Sequence, residues 1–260
     1  MTPEEDIEPT GSGVSDFGIS GGVPEGSGTE RVTHPHDPRF ELAAALRRVI
    51  TATVGANLAD TDINKAAAAI ADLASDLERR AGPGRRRRSQ PDPAGHPQEF
   101  FPTSPVVGFA NPIAPPVVVE GGKEGLVGRA WFDYQYEGPP TCVHGGVIAM
   151  VFDELLGAAN IAAGNPGMTG TLTIRYRKPT PLRTSLRLEA HCEKRQGRKI
   201  LTRGAIYCED VLTAEAEGIF IQLPPERFMD LVARSGEADD VLDLVRSDAQ
   251  RLAVTPAEEA

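Results

Sequence analysis

The chain has 260 residues, enough for one domain of ordinary size with attachments. Its formal charge of −10 is concentrated early, at Glu4, Glu5, Asp6, Glu8, Asp16, Glu25 and Glu30, while the body from Phe100 to Leu223 is close to balanced. No broad basic face is visible, which argues against a nucleic-acid partner. The cysteines, Cys142, Cys192 and Cys208, are few and widely spaced; they form no metal motif and suit a reducing compartment.

The first 36 residues are rich in Gly, Ser, Pro, Thr and acid. That composition cannot bury enough surface to offset ordering entropy, so 1–36 reads as a disordered acidic tail. It has no apolar core and is no secretory signal. The run Val147–Ala163 comes nearest to a membrane span, but Asp153, Glu154 and Asn160 interrupt it. A soluble cytoplasmic protein without integral membrane association is expected.

Residues 37–82 predict a helical hairpin. Asp37-Pro38 offers a cap with proline at the first helical position, and Phe40, Leu42, Ala43, Leu46, Val49 and Ile50 give a helical stripe. A second helix starts near Asp60-Thr61-Asp62, carries Ile63, Ala67, Ile70, Leu73 and Leu77, and ends around Arg79-Arg80-Ala81-Gly82. Two helices make a thin core, so they are expected to dock on the main domain or on a partner chain. Residues 83–99, with Arg85–Arg88, read as a basic, proline-containing solvated linker, since short basic runs are weakly specific.

From Phe100 the pattern turns to β, and 100–224 reads as the main domain. Ser104–Ala110 and Val117–Glu120 are extended candidates, and Gly125–Tyr136 a strand or bent strand. After Gly138-Pro139-Pro140 comes a His-Gly-Gly turn, His144–Gly146, and a segment apolar on nearly every side to about Gly164. Such a helix should be wrapped by other structure. Thr169–Arg177 alternates, with Leu172, Ile174 and Tyr176 on one face and Thr171, Thr173, Arg175 and Arg177 on the other. Ser185–Arg195 and Lys199–Glu209 form a hairpin across Gln196-Gly197-Arg198, and Leu212–Leu223 is the last strand. Residues 225–260, with Phe228, Leu231, Val232, Val241, Leu242, Leu244 and Val245, read as a C-terminal helical appendage. The class is α+β: a curved antiparallel sheet around one central helix, with added N- and C-terminal helices.

An ionised carboxylate in the middle of an apolar helix is costly, which singles out Asp153. Glu154 lies ~100° around the helix and competes with it; position favours Asp153. The helix N-terminus at Gly145 and Gly146 supplies unpaired N–H groups that a ligand carbonyl can approach, an oxyanion site, though a plain tight turn reads equally well from these residues alone. Gly145 and Asp153 are ~12 Å apart along one helix, too far to act on one carbonyl. Two chains sharing a site across a two-fold axis resolve this, as a homodimer or dimer of dimers. His144 reads as an orienting group more than a proton donor. Arg175, Arg177, Lys178, Arg198 and Lys199 suit the phosphate groups of a ligand, or are ordinary solvated charges.

Gly138-Pro139-Pro140, His144-Gly145-Gly146, Asp153 nine positions after the histidine, Met168-Thr169, Ile174–Leu182 and Gly197-Arg198-Lys199 together resemble a hotdog-fold acyl-CoA thioesterase. The resemblance is to the subgroup of thioesterase superfamily members acting on long-chain acyl-CoA, and more broadly to phenylacetate-pathway thioesterases. It implies hydrolysis of acyl-CoA to free acid and CoA in lipid metabolism, with Asp153 as general base or nucleophile and Thr169 placing the water. Gly145 would polarise the carbonyl, and Gly146 would lie against the substrate. An asparagine that some relatives carry before the His-Gly-Gly is missing here. No metal and no cofactor beyond the substrate's CoA are expected. The competing readings are a non-catalytic acyl-CoA-binding or assembly module and, less fitting, a hydratase.

Overall fold

The computed structural model describes residues 38–82, 101–115 and 117–222, with Pro224 and Arg227. The predicted acidic tail, the segment carrying Arg85–Arg88 and the C-terminal appendage lie outside the described residues.

Helix α1 spans Pro38–Gly55 and α2 spans Asp60–Arg80. Only α1 docks. Its Ala43 is buried, and Leu46, Arg47 and Ile50 are half-buried beside it. Arg47 Nη1 donates to the Asn111 carbonyl at 2.8 Å, Thr51 Oγ1 to Gln135 Oε1 at 3.0 Å, and the Phe40 and Phe109 rings lie 5.8 Å apart. Gly55 rests on the Tyr134 ring, where a Cβ would come within 2.5 Å. Leu42 and Val49, at the margin of the predicted stripe, stay exposed. In α2 no residue is buried.

The sheet has six antiparallel strands: β1 Val118–Gly122, β2 Gly125–Ala130, β3 Met168–Tyr176, β4 Leu186–Gln196, β5 Lys199–Cys208 and β6 Val211–Ile221. Their order is β1-β2-β4-β5-β6-β3, so the strand after the central helix crosses to the far edge. The β4–β5 hairpin closes at Gly197, whose φ of 59° favours glycine. Helix α3, Gly145–Ala162, touches all six strands. Ile148, Val151, Phe152, Leu155, Leu156 and Ala159 bury against Leu186, Leu188, Ala190, Ile200, Ile206, Ala214, Ala216 and Phe220. This is the hotdog arrangement. The helix sits close because the strands beneath it carry small residues. A Cβ on Gly204 would lie 2.9 Å from Leu156 Cδ2, and one on Gly218 3.1 Å from Leu156 Cδ1.

Three expectations need correction. Ser104–Ala110 is a set of turns, not a strand. Ser104 Oγ accepts from the N–H of Val106 and Val107 at 3.1 and 3.2 Å, an alternative to ladder bonding that serine offers readily. Both valines are buried and plug the core. Second, β2 stops at Ala130; Tyr134–Tyr136 forms a 3-10 turn started by Asp133, whose carboxylate accepts from the Tyr134 N–H at 2.9 Å. Third, α3 is not wrapped on every side. Gly146, Met150, Asp153, Gly157 and Ile161 form one face, and it is open to varying degrees. One sheet covers only one side of a helix. By length and composition alone α3 also meets the requirement for crossing a membrane, although its covered side packs as a core helix.

The α3–sheet contact predicts a coupled pair of substitutions. Gly204→Val should cost about 1–3 kcal/mol by overpacking against Leu156 Cδ2 and the Glu189 carbonyl, each 2.9 Å from a Cβ placed there; only the Leu156 part is relieved by shortening that side chain. Leu156→Ala should cost about 2–5 kcal/mol by leaving a cavity. The double variant should lose clearly less than the sum, measured by urea denaturation, because the new valine fills part of the space.

Candidate active site

His144 caps α3: its Nδ1 accepts from the Gly146 N–H at 2.9 Å. The imidazole therefore keeps Nδ1 free of a proton, which fits an orienting role. Val147 and Ile148 donate to the His144 carbonyl, and His144 itself donates to the Tyr136 carbonyl at 2.8 Å. Among the described residues, the Gly145 N–H alone of this turn has no acceptor. It is the donor that remains for a ligand oxygen at the positive end of the helix. Tyr176 on β3 donates its hydroxyl to the Gly145 carbonyl at 2.9 Å and so ties the turn to the edge strand.

Two turns along the open face stands Asp153. Its Oδ1 accepts from Thr169 Oγ1 at 2.7 Å. The reach depends on a bulge. Strict alternation would put Thr169 on the face of Thr171 and Thr173, away from α3. The β3–β6 register shifts between Thr169 and Thr171, around Gly170. Thr169 then pairs opposite buried Phe220, on the same face as Leu172 and Ile174. Contrary to the expectation of a costly buried charge, Asp153 is exposed in the single chain. Its Oδ2 has no partner among the described residues.

Glu154 is the more enclosed carboxylate. It accepts from Ser104 Oγ at 2.9 Å. Burial pushes its carboxyl pKa up; the Ser104 hydrogen bond opposes this and the neighbouring Asp153 adds to it. Ser104 thus serves both its own turn and Glu154, which occupies that carboxylate in structure.

The five candidate phosphate-binding cations fall at opposite ends of the sheet. Arg175, Arg177 and Lys178 lie at the end where Tyr176 meets Gly145. Lys199 stands in the row of Ile221 and Met168, next to Thr169, with Arg198 in the adjoining turn. Arg175 pairs with Glu217 at 3.4 Å, and Arg177 Nε with Glu215 Oε1 at 3.1 Å, both on the outer face. Arg198 Nε donates to the Gln222 carbonyl at 3.4 Å. Arg175 and Arg177 are thus held by glutamates, and no ion pair is formed by Lys178, Arg198 or Lys199 among the described residues. No group of three His, Cys, Asp or Glu side chains there is arranged to hold a metal.

Sequence reasoning did not assign roles to Tyr176, Gly170 or Ser104. Gly170 carried the clearest signal, because a glycine inside a strand often marks a bulge.

The family model described as the thioesterase superfamily matches residues 141–215, the stretch holding the His-Gly-Gly turn, Asp153 and Thr169. The acyl-coenzyme A thioesterase THEM4 of Xenopus laevis is 38% identical over 91 residues, 34% of this chain and 41% of the relative. The THEM4 of Mus musculus is 38% identical over 93 residues, 35% of this chain and 40% of the relative. The chain therefore matches about two fifths of the length of these curated relatives. A crystal structure of a thioesterase superfamily protein superposes with a TM-score of 0.65 at 33% identity, covering 73% of this chain and 94% of that one.

Glu154 gives a pH prediction. A carboxyl whose folded-state pKa is raised loses stabilisation as pH rises above its unfolded value, about 4.3. Glu154→Gln should therefore stabilise the fold at neutral pH and lose that advantage near pH 4. Thermal midpoints of both proteins across this window check it.

Proposed function

The chain belongs to the thioesterase superfamily, and on that premise we propose that it hydrolyses acyl-CoA thioesters to a free acid and CoA. The observation that carries this reading is the Thr169–Asp153 hydrogen bond, which draws two of the site residues together inside the matched stretch. With Thr169 donating to Oδ1, the other oxygen of Asp153 is left to take a proton from water. The water oxygen attacks the thioester carbonyl, whose developing charge is received by the Gly145 N–H. The C–S bond then breaks, and the proton held by Asp153 goes to the departing thiolate of CoA. No cofactor enters these steps.

The reading needs two chains. Gly145 and Asp153 lie eight positions apart on one helix, ~12 Å along its axis. Two features of the single chain support pairing: the open face of α3, and the edge position of β3 with Met168 and Tyr176 more than half exposed. A two-fold arrangement bringing Gly145 of one chain to Asp153 of the other also joins opposite ends of the two sheets. Lys178 from one chain and Arg198 and Lys199 from the other then surround one site, a setting suited to CoA phosphates. Arg175 and Arg177 would have to leave their glutamates to take part.

CoA release from short, medium, long and aromatic acyl-CoA tests the activity. No turnover on any of them, with tight acyl-CoA binding, would turn the reading to a binding module. Asp153→Asn should lower kcat by at least about a hundredfold with little change in KM, the signature of a lost catalytic base. Transfer of labelled oxygen from enzyme to product in a single turnover would instead identify Asp153 as a nucleophile. Mixing Asp153→Asn chains with Gly145→Val chains should restore about a quarter of wild-type activity, because half of randomly paired dimers hold one intact site of two.

A further inference from the structure

Gly145 and Gly146 open α3, and glycine is among the weakest helix formers. A first turn built from two glycines is prone to fray and to take many orientations. Here one of its peptide units is held at both ends by side chains. The Gly145 carbonyl accepts from the Tyr176 hydroxyl at 2.9 Å. The Gly146 N–H of the same planar unit donates to His144 Nδ1 at 2.9 Å. The two side chains come from different elements, the helix cap and strand β3.

Tyr176 is not needed to satisfy that carbonyl. In an α-helix the carbonyl of residue 145 already accepts from the N–H of residue 149. Nor does burial explain the tyrosine, which is 54% exposed on an edge strand. Its ring stands against Gly145, where a Cβ would lie 3.4 Å from the hydroxyl oxygen and 3.5 Å from Cε1 and Cζ. The ring therefore covers this flank of the glycine without crowding it.

We propose that Tyr176 is a positioning residue: with His144 it clamps the Gly145–Gly146 peptide and thereby fixes the direction of the Gly145 N–H. That N–H belongs to the preceding peptide unit, and it has no acceptor among the described residues. The carbonyl of the preceding unit, that of His144, accepts from Val147 and Ile148 at 2.9 and 3.2 Å. This anchor is only as firm as the first helical turn itself. The two units meet at the Gly145 Cα, where no side chain restricts rotation. With the second unit clamped, neither dihedral of Gly145 is free, and the donor keeps one aim. A donor fixed in advance costs no reorganisation when charge develops on the oxygen it faces. Strand β3 then has two duties: Thr169 holds Asp153 near one end, and Tyr176 holds the donor turn at the other.

The use made of the clamp rests on the hydrolytic reading; the clamp itself does not. The test is Tyr176→Phe in the full chain, which keeps the ring beside Gly145 and removes only the hydroxyl. Without ligand, amide hydrogen exchange in protein made with isotope-labelled glycine reads the clamp. The Gly146 N–H should exchange about fivefold faster in the variant, the size of one hydrogen bond, while Gly197 in the distant hairpin keeps its rate. On the best acyl-CoA, kcat should fall about 10- to 100-fold with KM changed less than about twofold, the mark of a donor misaimed in the transition state. Unchanged Gly146 exchange would overturn the clamp whatever the kinetics. Faster exchange with kcat kept would show a merely structural bond and overturn the positioning role. A raised KM with kcat kept would overturn it too, in favour of direct contact with the substrate. If the wild-type chain turns over no acyl-CoA, the hydrolytic reading falls, and the exchange rates still decide the clamp.

Discussion

One six-stranded sheet cannot enclose an apolar helix, and most of what is distinctive in this chain follows from the side of α3 that it leaves bare. The covered side supplies the core: Phe152, Leu155 and Leu156 are 0–1% exposed over a floor of small residues. The uncovered side carries Asp153 between Met150 and Gly157, neighbours with little to hide it. The strand beside that face, β3, is an edge with nothing paired beyond it among the described residues. An exposed edge strand with apolar residues is a ready template for pairing with another strand. Helix packing, strand order and the position of the carboxylate thus leave the same side of the chain open.

The arrangement around the helix N-terminus depends on which N–H groups are already used. The His144 imidazole takes the Gly146 N–H, and the first α-helical bonds take those of Val147 and Ile148. Only Gly145 is left with a donor to offer. Two glycines in succession look interchangeable in a sequence, but their hydrogen bonds give them different duties. Tyr176 then donates to the Gly145 carbonyl from β3 and links the turn to the edge strand. Asp153 and Glu154 divide in a similar way. Ser104 holds Glu154 in an enclosed place, while Thr169 reaches Asp153 where solvent and ligand can meet it.

The elements with a strong local signal were legible in the sequence. The Asp37-Pro38 start and the Arg79–Gly82 end bracket the two helices within a residue or two, and Gly197 marks the hairpin. The His-Gly-Gly turn and Asp153 stood out by spacing. What was hidden involved side chains competing with the backbone, or contacts distant in sequence. Ser104 converts an apolar run with valines into turns by accepting two N–H bonds, a choice that hydrophobic pattern alone does not reveal. Alternation placed Thr169 on the wrong face, and only the shift at Gly170 corrects it. The docking of α1 rests on Arg47 and Thr51 reaching residues more than 60 positions away, which no local reading can supply.

The exposure of Asp153 in one chain changes the physical account of its charge. A carboxylate buried for good inside a folded chain would carry its desolvation cost in the stability of that chain. Here Asp153 is exposed, so that cost would arise only in the proposed pairing over the open face of α3. Thr169 is already in place, donating to Oδ1, so one hydrogen bond survives the loss of water. In the proposed dimer the remaining oxygen would face the second chain's helix end across a drier site, where the Gly145 N–H counts for more. The pairing that covers the open face of α3 would also bring Asp153 and the facing Gly145 N–H into one site, so that assembly would complete the constellation.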